Sequence, residues 1–188
     1  VDGTIDVATV DLDPATAGIQ TTFTVAEQGT YTVDNSGVVT FTPVDNFNGI
    51  ATAVDYTVND NDGVTSNIAT ITVTVTNVND APIANNDGIS TAEETPVSLT
   101  VFPNDTDVDG TIDAATVDLD PATAGIQTTF TVAEQGTYTV DNLGVVTFTP
   151  VANFHGIATA VDYTINDKDR VTSNIPSITV PFTKSNDT

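Results

Sequence analysis

The chain has 188 residues and a formal net charge of −23, with 26 Asp and Glu against 3 Lys and Arg, and it contains no Cys, Met or Trp. So few basic residues exclude direct binding to nucleic acid, whose phosphates are held by Lys and Arg, and an anionic membrane surface repels such a chain. The absence of Cys excludes disulfides, zinc–thiolate sites and cysteine nucleophiles.

The remaining composition predicts a folded, strand-rich protein. Hydrophobic residues make up 39% of the chain, whereas disorder requires low hydrophobicity together with high charge. The acids are almost all Asp, which disfavours helices and favours turns, and Thr and Val are abundant, as in strands. The composition therefore indicates an all-β protein.

A tandem repeat organises the chain. The sequence from Val1 recurs from Val108, and about 67 of 81 aligned positions are identical, while residues 82–107 occur only once, between the copies. A period near 107 residues suits one β-sandwich per repeat. We expect residues 1–77 to form a first β-sandwich that lacks its N-terminal strands, 78–86 a linker, and 87–188 a second, complete β-sandwich. We also expect the sequence to be a piece of a longer array, so that its lack of a signal peptide is uninformative about destination.

Alternation of apolar and polar residues, punctuated by turn residues, predicts eight strands in the second repeat. In chain order these are Ile83–Ser90, Pro96–Phe102, Ala115–Leu119, Thr128–Val132, Gly136–Val140, Val145–Thr149, Ala158–Ile165 and Ile175–Thr183. The segment 141–144, Asp-Asn-Leu-Gly, predicts a hairpin turn with Gly in the left-handed position. This pattern predicts tandem immunoglobulin-like, Greek-key β-sandwiches.

The acidic loop that follows the second predicted strand carries the clearest metal-binding pattern. Asp105, Asp107 and Asp109 alternate and are followed by Gly110 and Asp113. Ca²⁺ takes six to eight hard oxygen ligands, and Gly permits the sharp turn that folds several of them around one ion. The spacing therefore indicates Ca²⁺ binding, with ordinary surface aspartates as the alternative.

Two further acidic clusters are candidates. The linker carries Asn79 and Asp80 and runs on to Asp87, and a turn between the last two strands of the first repeat carries Asp60 and Asp62. A plain hairpin turn explains the second cluster equally well, because such turns favour Asn, Asp and Gly.

The motifs NDAP, EETPV, NDTDVDGTID, GVVTFTP, YTVNDNDG and TITVTVTNVND resemble the cadherin-like tandem repeats of giant bacterial surface adhesins, and they are similar to the fibril-type repeats of streptococcal surface proteins. The resemblance covers essentially the whole chain. It implies immunoglobulin-like domains strung end to end in secreted RTX-type adhesins, with Ca²⁺ at the junctions stiffening the stalk. The positions that match the family pattern are Asn79, Asp80 and Pro82 in the linker, Asp105, Asp107 and Asp109 in the acidic loop, and Glu93 or Glu94 after the first strand.

The predicted strand order places the linker, the acidic loop and the hairpin turn at 166–172 at one end of the second repeat, and the loops at 91–94 and 152–156 at the other. The predicted junction site therefore comprises Asn79, Asp80, Asp87, Asp105, Asp107, Asp109 and Asp113. Asp45 or Asn48 of the first repeat is a candidate to contribute to it.

The second copy departs from the first near its end. Lys168, Arg170 and Lys184 replace Asn61, Gly63 and Asn77, and Ala152 and His155 replace Asp45 and Asn48. We expect Arg170, in place of the turn Gly, to alter its hairpin. Either the array changes character here or a different partner follows.

Two function classes remain open. One is a structural spacer that holds a distal adhesive domain away from the cell, in adhesion or biofilm formation, with neighbouring repeats of the same chain as partners. The other is a module that itself binds a carbohydrate or protein; an aromatic content of 6% without Trp favours the spacer. An enzyme is disfavoured, because the single His155 has no counterpart in the first copy. The incomplete first repeat also suggests strand exchange with a second copy.

Overall fold

A computed structural model describes residues 3–183, which fold as strands and turns without a helix. The chain divides into two compact units, Val1–Val78 and Asn79–Thr188. The expectation of an all-β fold built from immunoglobulin-like sandwiches is confirmed. In the described part of the chain no helix is long and apolar enough to cross a membrane.

The described residues of the first unit, 3–78, form eight strands. They are β1 (Ile5–Asp11), β2 (Thr22–Val25), β3 (Gly29–Val33), β4 (Val39–Pro43), β5 (Gly49–Ile50), β6 (Val54–Asp60), β7 (Ala69–Ile71) and β8 (Thr74–Val75). They form the antiparallel sheets β1-β6-β7 and β2-β3-β4 and the pair β5-β8. The sheets enclose a small core centred on Leu12, Tyr31 and Val54.

In the second unit, residues 79–183 form eleven strands. They are β9 (Asp87–Gly88), β10 (Thr91–Ala92), β11 (Val97–Thr100), β12 (Ile112–Asp118), β13 (Thr129–Val132), β14 (Gly136–Val140), β15 (Val145–Pro150), β16 (Val161–Asp162), β17 (Thr164–Asp167), β18 (Ser177–Thr179) and β19 (Phe182–Thr183). Their sheets are β11-β15-β14-β13, β16-β18-β9, β12-β17 and β10-β19. Strands β9 and β10 pair in parallel with β18 and β19, and the other pairs are antiparallel.

Period-2 alternation explains which side chains form the core. In β14 and β15, Thr residues alternate with Tyr138, Val146 and Phe148, and these three inward-facing side chains have no exposed surface. Tyr138 and Phe148 pack with their ring centroids 4.5 Å apart. The larger core of the second unit adds Leu119 and Ile178 to these residues.

Strand boundaries differ from the sequence prediction where a register shift or a proline intervenes. Strand β12 begins at Ile112 rather than Ala115, and its pairing with β17 shifts register between Asp113 and Asp118. The predicted strand 175–183 is interrupted before Phe182, because Pro181 has no N–H to donate to a ladder. The predicted strand 83–90 is reduced to β9 and an isolated bridge between Ile83 and Thr106.

The predicted hairpin turn at 141–144 is confirmed. Gly144 has a φ of +70°, and the Asp141 N–H donates to the Val145 carbonyl at 3.1 Å. The Asp141 carboxylate accepts the N–H groups of Leu143 and Val145 at 2.8 and 3.0 Å. This aspartate is therefore used by the turn itself.

An acidic end of the second unit

Three segments meet at one end of the second unit. Residues 79–87 enter it, the loop 101–112 follows β11, and the hairpin 167–171 follows β17. Two backbone hydrogen bonds of 2.8 and 3.0 Å join Ile83 and Thr106, and the Lys168 N–H donates to the Thr111 carbonyl at 3.0 Å. We call this region the acidic end and define it by Asn79, Asp80, Asn85, Asp87, Asp105, Asp107, Asp109 and Asp167.

Two carboxylates of the acidic end surround the hydroxyl of the fully buried Tyr163. The hydroxyl donates to Asp87 Oδ2 at 2.8 Å and also lies 3.2 Å from the carbonyl oxygens of Asn85 and Val101. Asp105 Oδ1 accepts the Asn85 N–H at 2.7 Å. Burial raises the pKa of both Asp87 and Asp105, and burial and their negative charge also raise the pKa of Tyr163.

The loop carrying Asp107 and Asp109 folds back on itself. Asp107 Oδ1 accepts the N–H groups of Asp109 and Gly110 at 3.2 and 2.9 Å. A Cβ at position 110 would lie 2.7 Å from Asp107 Oδ2, so the carboxylate occupies space that only Gly leaves free. Asp109 Oδ1 in turn accepts the Asp80 N–H at 3.2 Å, which connects the loop to the incoming segment.

Asp167 holds the start of the incoming segment. Its Oδ2 accepts a hydrogen bond from the Asn79 side-chain amide, and its Oδ1 accepts the Val171 N–H at 2.8 Å. The Asn79 amide holds the pKa of Asp167 below its usual range, although the side chain is almost fully buried. Asp167 therefore remains ionised at an end of the unit that already contains several other carboxylates.

Two buried carboxylate oxygens at the acidic end have no hydrogen-bond partner within residues 3–183. They are Asp105 Oδ2 and Asp107 Oδ2. Buried polar oxygens are rarely left without a partner, so each is available as a ligand for a cation. Their hard-oxygen character suits Ca²⁺, which also accepts amide and backbone carbonyl oxygens. Within residues 3–183 no three His or acidic side chains lie close enough together to hold a metal. A site here would therefore need amide or backbone carbonyl oxygens as well, or a movement of the loop 101–112.

The structure brings six of the predicted residues to the acidic end: Asn79, Asp80, Asp87, Asp105, Asp107 and Asp109. Asp113 lies at the start of β12, where its Oδ1 accepts the Ala115 N–H at 3.2 Å. Glu93 and Glu94 belong to the turn between β10 and β11, at the opposite end of the strands, where Glu94 Oε1 accepts the Asn153 N–H at 3.1 Å.

The other predicted residues belong to the first unit. Asp60 Oδ1 accepts the N–H groups of Asp62 and Val64 at 3.0 and 2.8 Å, so this carboxylate organises a hairpin turn. Asp45 and Asn48 are exposed, and the Asn48 amide donates to the Asn46 carbonyl at 3.4 Å.

Sequence reasoning missed three participants. Asp167 is not singled out by the sequence, because Asp60, at the equivalent position of the first unit, is explained by a hairpin turn. The equivalence of the two positions is nevertheless the sequence signal that points to Asp167. Asn85 contributes a backbone donor and carbonyl, which no side-chain motif reveals. Tyr163 lies within a strand, where the sequence predicts an ordinary core residue. Only the hydrogen bond from its buried hydroxyl to Asp87 shows that it contributes to the acidic end.

The expectation that Arg170 alters its hairpin is wrong. Arg170 adopts a φ of +72°, close to the +81° of Gly63, and its N–H donates to the Asp167 carbonyl at 3.2 Å as the Gly63 N–H does to Asp60 at 3.0 Å. The turn hydrogen bonds maintain the conformation at a strain of about 1 kcal/mol. Lys184 lies outside the described residues.

Replacing Tyr163 by Phe is expected to lower the free energy of unfolding of the second unit by about 1–3 kcal/mol, because it leaves a buried carboxylate without its donor. The matched change Tyr56→Phe, at the equivalent position of the first unit, should cost less than about 0.5 kcal/mol, since no residue of 1–78 corresponds to Asp87. Urea denaturation of both variants without calcium measures this difference, and equal losses would contradict the role of the Tyr163 hydroxyl.

Two family comparisons match the chain. The family described as "Bacterial Ig domain" matches residues 79–180, which is more than half of the chain, and the "Surface adhesin CshA repetitive domain" matches residues 2–75. No significant match to a curated protein sequence was found.

Solved structures with a similar fold include cadherins. Drosophila N-cadherin EC1-4 is 15% identical with a TM-score of 0.53, over 88% of this chain and 40% of that one. Mouse cadherin-23 EC22-24 is 17% identical with a TM-score of 0.50, over 82% of this chain and 50% of that one. The chain thus spans half or less of these structures, and at such identity the likeness concerns the fold alone.

Proposed function

Because this chain belongs to the bacterial Ig domain family, we propose that it serves as extender repeats of a large bacterial surface adhesin of the RTX type, projecting a distal adhesive domain for cell adhesion or biofilm formation. The chain is a secreted or cell-surface protein. We assign it no catalytic activity; its partners are the neighbouring repeats of the same chain and Ca²⁺.

The near-identity of two successive sandwich units carries this proposal. About 67 of 81 aligned residues are shared. A spacer needs each repeat to present the same length and stiffness, whereas a binding module needs one distinctive surface. The differences favour the spacer, because most replace one strand or turn residue by another and none adds an aromatic cluster to the surface.

Calcium at the acidic end is the second part of the proposal. Ca²⁺ bound there would offset the negative charge of these carboxylates. The free Oδ2 atoms of Asp105 and Asp107 are the first ligands, and Asp87 and Asp109 are held nearby in the chain through hydrogen bonds to Tyr163 and to the Asp80 N–H. Carbonyl or amide oxygens of residues 79–85 would complete the set, since Ca²⁺ takes six to eight oxygens.

This arrangement has a mechanical consequence for the second unit. Asn79 and Asp80 are already attached to it through Asp167 and Asp109. In the absence of a cation, repulsion among the carboxylates opposes these contacts. When bound Ca²⁺ offsets this repulsion, residues 79–82 are held on the second unit. The segment that precedes them then has fewer accessible directions.

Small-angle scattering of the full chain tests the proposal. Calcium should increase the maximum dimension and narrow its distribution relative to the chelated protein, because a chain with fewer accessible directions is on average more extended. The double variant Asp105→Asn, Asp107→Asn should give the same profile with and without calcium. Identical profiles for the unsubstituted chain in calcium and in chelator would contradict the stiffening.

A further inference from the structure

A polar cleft opens beside the β12-β17 pair of the second unit. Its volume is about 490 Å³, and its walls are the ends of β12 and β17, the loop 120–126 and the segment 172–175. Small-molecule sites in proteins occupy roughly 300–1,000 Å³, so the cleft is large enough for a ligand. It is separate from the acidic end, because none of the residues that define that end lines it.

A shift in strand pairing forms the cleft. The register of β12 on β17 changes between Asp113 and Asp118, so the regular ladder is interrupted there. At this point the Asn166 N–H donates to the Thr116 hydroxyl at 2.8 Å. Irregular strands of this kind re-aim their side chains and are common next to active sites.

Asp118 holds the loop that forms one wall of the cleft. Its Oδ1 accepts the N–H groups of Asp120 and Gln127 at 3.0 Å each. The Leu119 N–H donates to the Gln127 carbonyl at 2.9 Å, and the Thr123 hydroxyl donates to Asp120 Oδ2 at 2.6 Å. The wall is therefore fixed before any ligand arrives, which lowers the ordering cost of binding.

Four polar groups that belong to the lining residues have no hydrogen-bond partner among residues 3–183. They are Asp118 Oδ2, the Asn166 side-chain amide and the hydroxyls of Thr164 and Thr172. Asp118 and Thr164 are only 9% and 8% exposed, so these two side chains lie deep in the cleft. Because buried polar groups usually have partners, such unused groups point to a ligand that pairs with them.

Apolar side chains line the same cleft. Ile126 and Ile175 are 50% and 61% exposed, and Pro121 lies with them in the lining. Apolar walls around a few convergent polar groups are the usual composition of a ligand site.

The first unit carries the same residues in the same local structure. Every residue that lines the cleft is identical 107 positions earlier in the sequence. Asp11 Oδ1 accepts the N–H groups of Asp13 and Gln20 at 3.0 Å each. The Asn59 N–H donates to the Thr9 hydroxyl at 2.8 Å, as Asn166 does to Thr116.

An adjoining cleft shows that the neighbouring surface also has the same shape in both units. It shares Pro121 and Ile175 with the first cleft and measures about 300 Å³, and its counterpart around Phe23 in the first unit measures about 310 Å³. The polar cleft is therefore a feature of the repeat, present once in each unit.

We propose that the polar cleft binds a neutral saccharide, with one site in each unit. Sugar hydroxyls both donate and accept hydrogen bonds, so they match a carboxylate oxygen, an amide and two threonine hydroxyls. A cationic side chain is a poorer match, because it only donates and leaves the donors of Asn166 and the threonines unused. An anionic saccharide is repelled by Asp118 and by the net charge of −23.

Each site is expected to be weak. No aromatic side chain lines the polar cleft, so its ligand gains nothing from ring stacking. We expect a Kd of about 1 mM or weaker for one sugar ring. Weak sites repeated along a chain gain avidity when they engage one polymeric ligand together. The inference adds a low-affinity binding function to the spacer and is independent of calcium.

Nuclear magnetic resonance of the ¹⁵N-labelled full chain in chelator tests the inference. The probes are the methyl glycosides of glucose, galactose, mannose and N-acetylglucosamine. At least one should give saturable shift changes at the amides of residues 116–126 and 164–175, and at their equivalents 9–19 and 57–68. Because the titration is done without calcium, its failure is distinct from a failure of calcium stiffening.

Two matched substitutions locate the sites. Asn166→Ala removes a side-chain amide that has no partner within residues 3–183, and it should weaken binding to the second unit about tenfold or more while leaving the first unit unchanged. Asn59→Ala should do the reverse. Asn142→Ala, at an exposed turn residue outside the cleft, should leave both sites intact.

Three results would overturn the inference. They are no saturable shift with any of the four glycosides, shifts that lie outside the cleft, and equal binding to the second unit before and after Asn166→Ala. Sugar binding should also be the same in about 50 and about 500 mM NaCl, because the ligand is uncharged. Shifts in the cleft caused only by Nα-acetyl-lysine methylamide, and lost at the higher salt, would show a cation site instead.

Discussion

Saturating calcium is expected to raise the unfolding temperature of the second unit by roughly 10 °C, and Asp105→Asn is expected to remove most of that gain. A ligand at about 100 times its Kd stabilises the folded state by about 2.7 kcal/mol, and about 1 kcal/mol shifts the midpoint of a domain of this size by several degrees. Differential scanning calorimetry in calcium and in chelator measures both effects.

Asp105 is the most informative position because its two oxygens have different roles. Oδ1 accepts the Asn85 N–H at 2.7 Å, and the amide oxygen that Asp105→Asn introduces retains that contact. Oδ2 has no hydrogen-bond partner in the described part of the chain, so the substitution removes a charged ligand without breaking a hydrogen bond. In chelator the variant should be at least as stable as the unsubstituted chain, because it no longer buries an unpaired charge.

Asp162→Asn is the matched control. It makes the same charge change at an exposed residue of β16 outside the acidic end, and it should leave the response to calcium intact. Magnesium should give a much smaller response, because it binds fewer protein oxygens and retains its waters. If calcium raised the unfolding temperature of Asp105→Asn as much as that of the unsubstituted chain, the assignment of Asp105 as a calcium ligand would be contradicted.

The response to calcium should diminish as the pH falls from 7 towards 4. Burial raises the pKa of Asp87 and Asp105 in the folded chain, so without metal their contribution to stability is fully present below their unfolded pKa and is lost as pH rises through the folded pKa. Calcium requires the ionised forms, so protons and calcium compete for the same oxygens. A response that grows on acidification would contradict this competition.

The sequence predicts the repeat, the all-β class and most of the strands, because Thr–aliphatic alternation and Asp-Gly turns are local signals. It predicts less well which aspartates are available to a ligand. Asp34 and Asp141 satisfy turns, and Asp118 Oδ1 accepts the N–H groups of Asp120 and Gln127 at 3.0 Å. The local sequence around these aspartates resembles that around Asp105, and only the hydrogen-bond partners of each carboxylate oxygen distinguish them.

The large negative charge therefore has two origins. One part maintains turns through carboxylate-to-backbone hydrogen bonds, as Asp34 and Asp141 do in the equivalent hairpins of the two units. The other part is concentrated at the acidic end, where Asp105 and Asp107 each retain an unpaired oxygen. Local sequence cannot separate these parts, because the segments that form the acidic end lie up to about 90 residues apart along the chain.

Phe148→Ala is expected to lower the free energy of unfolding of the second unit by about 3–5 kcal/mol, the usual cost of removing a fully buried aromatic side chain. The Phe148 ring packs against Tyr138 at 4.5 Å and Phe182 at 5.9 Å between centroids. It also lies over Gly136, where an added Cβ would meet it at 2.5 Å. The surrounding backbone leaves little room to collapse into the space, so the cavity should persist.

The matched change in the first unit, Phe41→Ala, should cost distinctly less, about 1–2 kcal/mol. Phe41 makes the same contact with its tyrosine, at 4.6 Å from Tyr31, but part of its surface already meets water. Hydrogen exchange of peptides distinguished by Ser36 and Leu143 reports the loss in each unit separately. Equal losses would contradict the argument from burial.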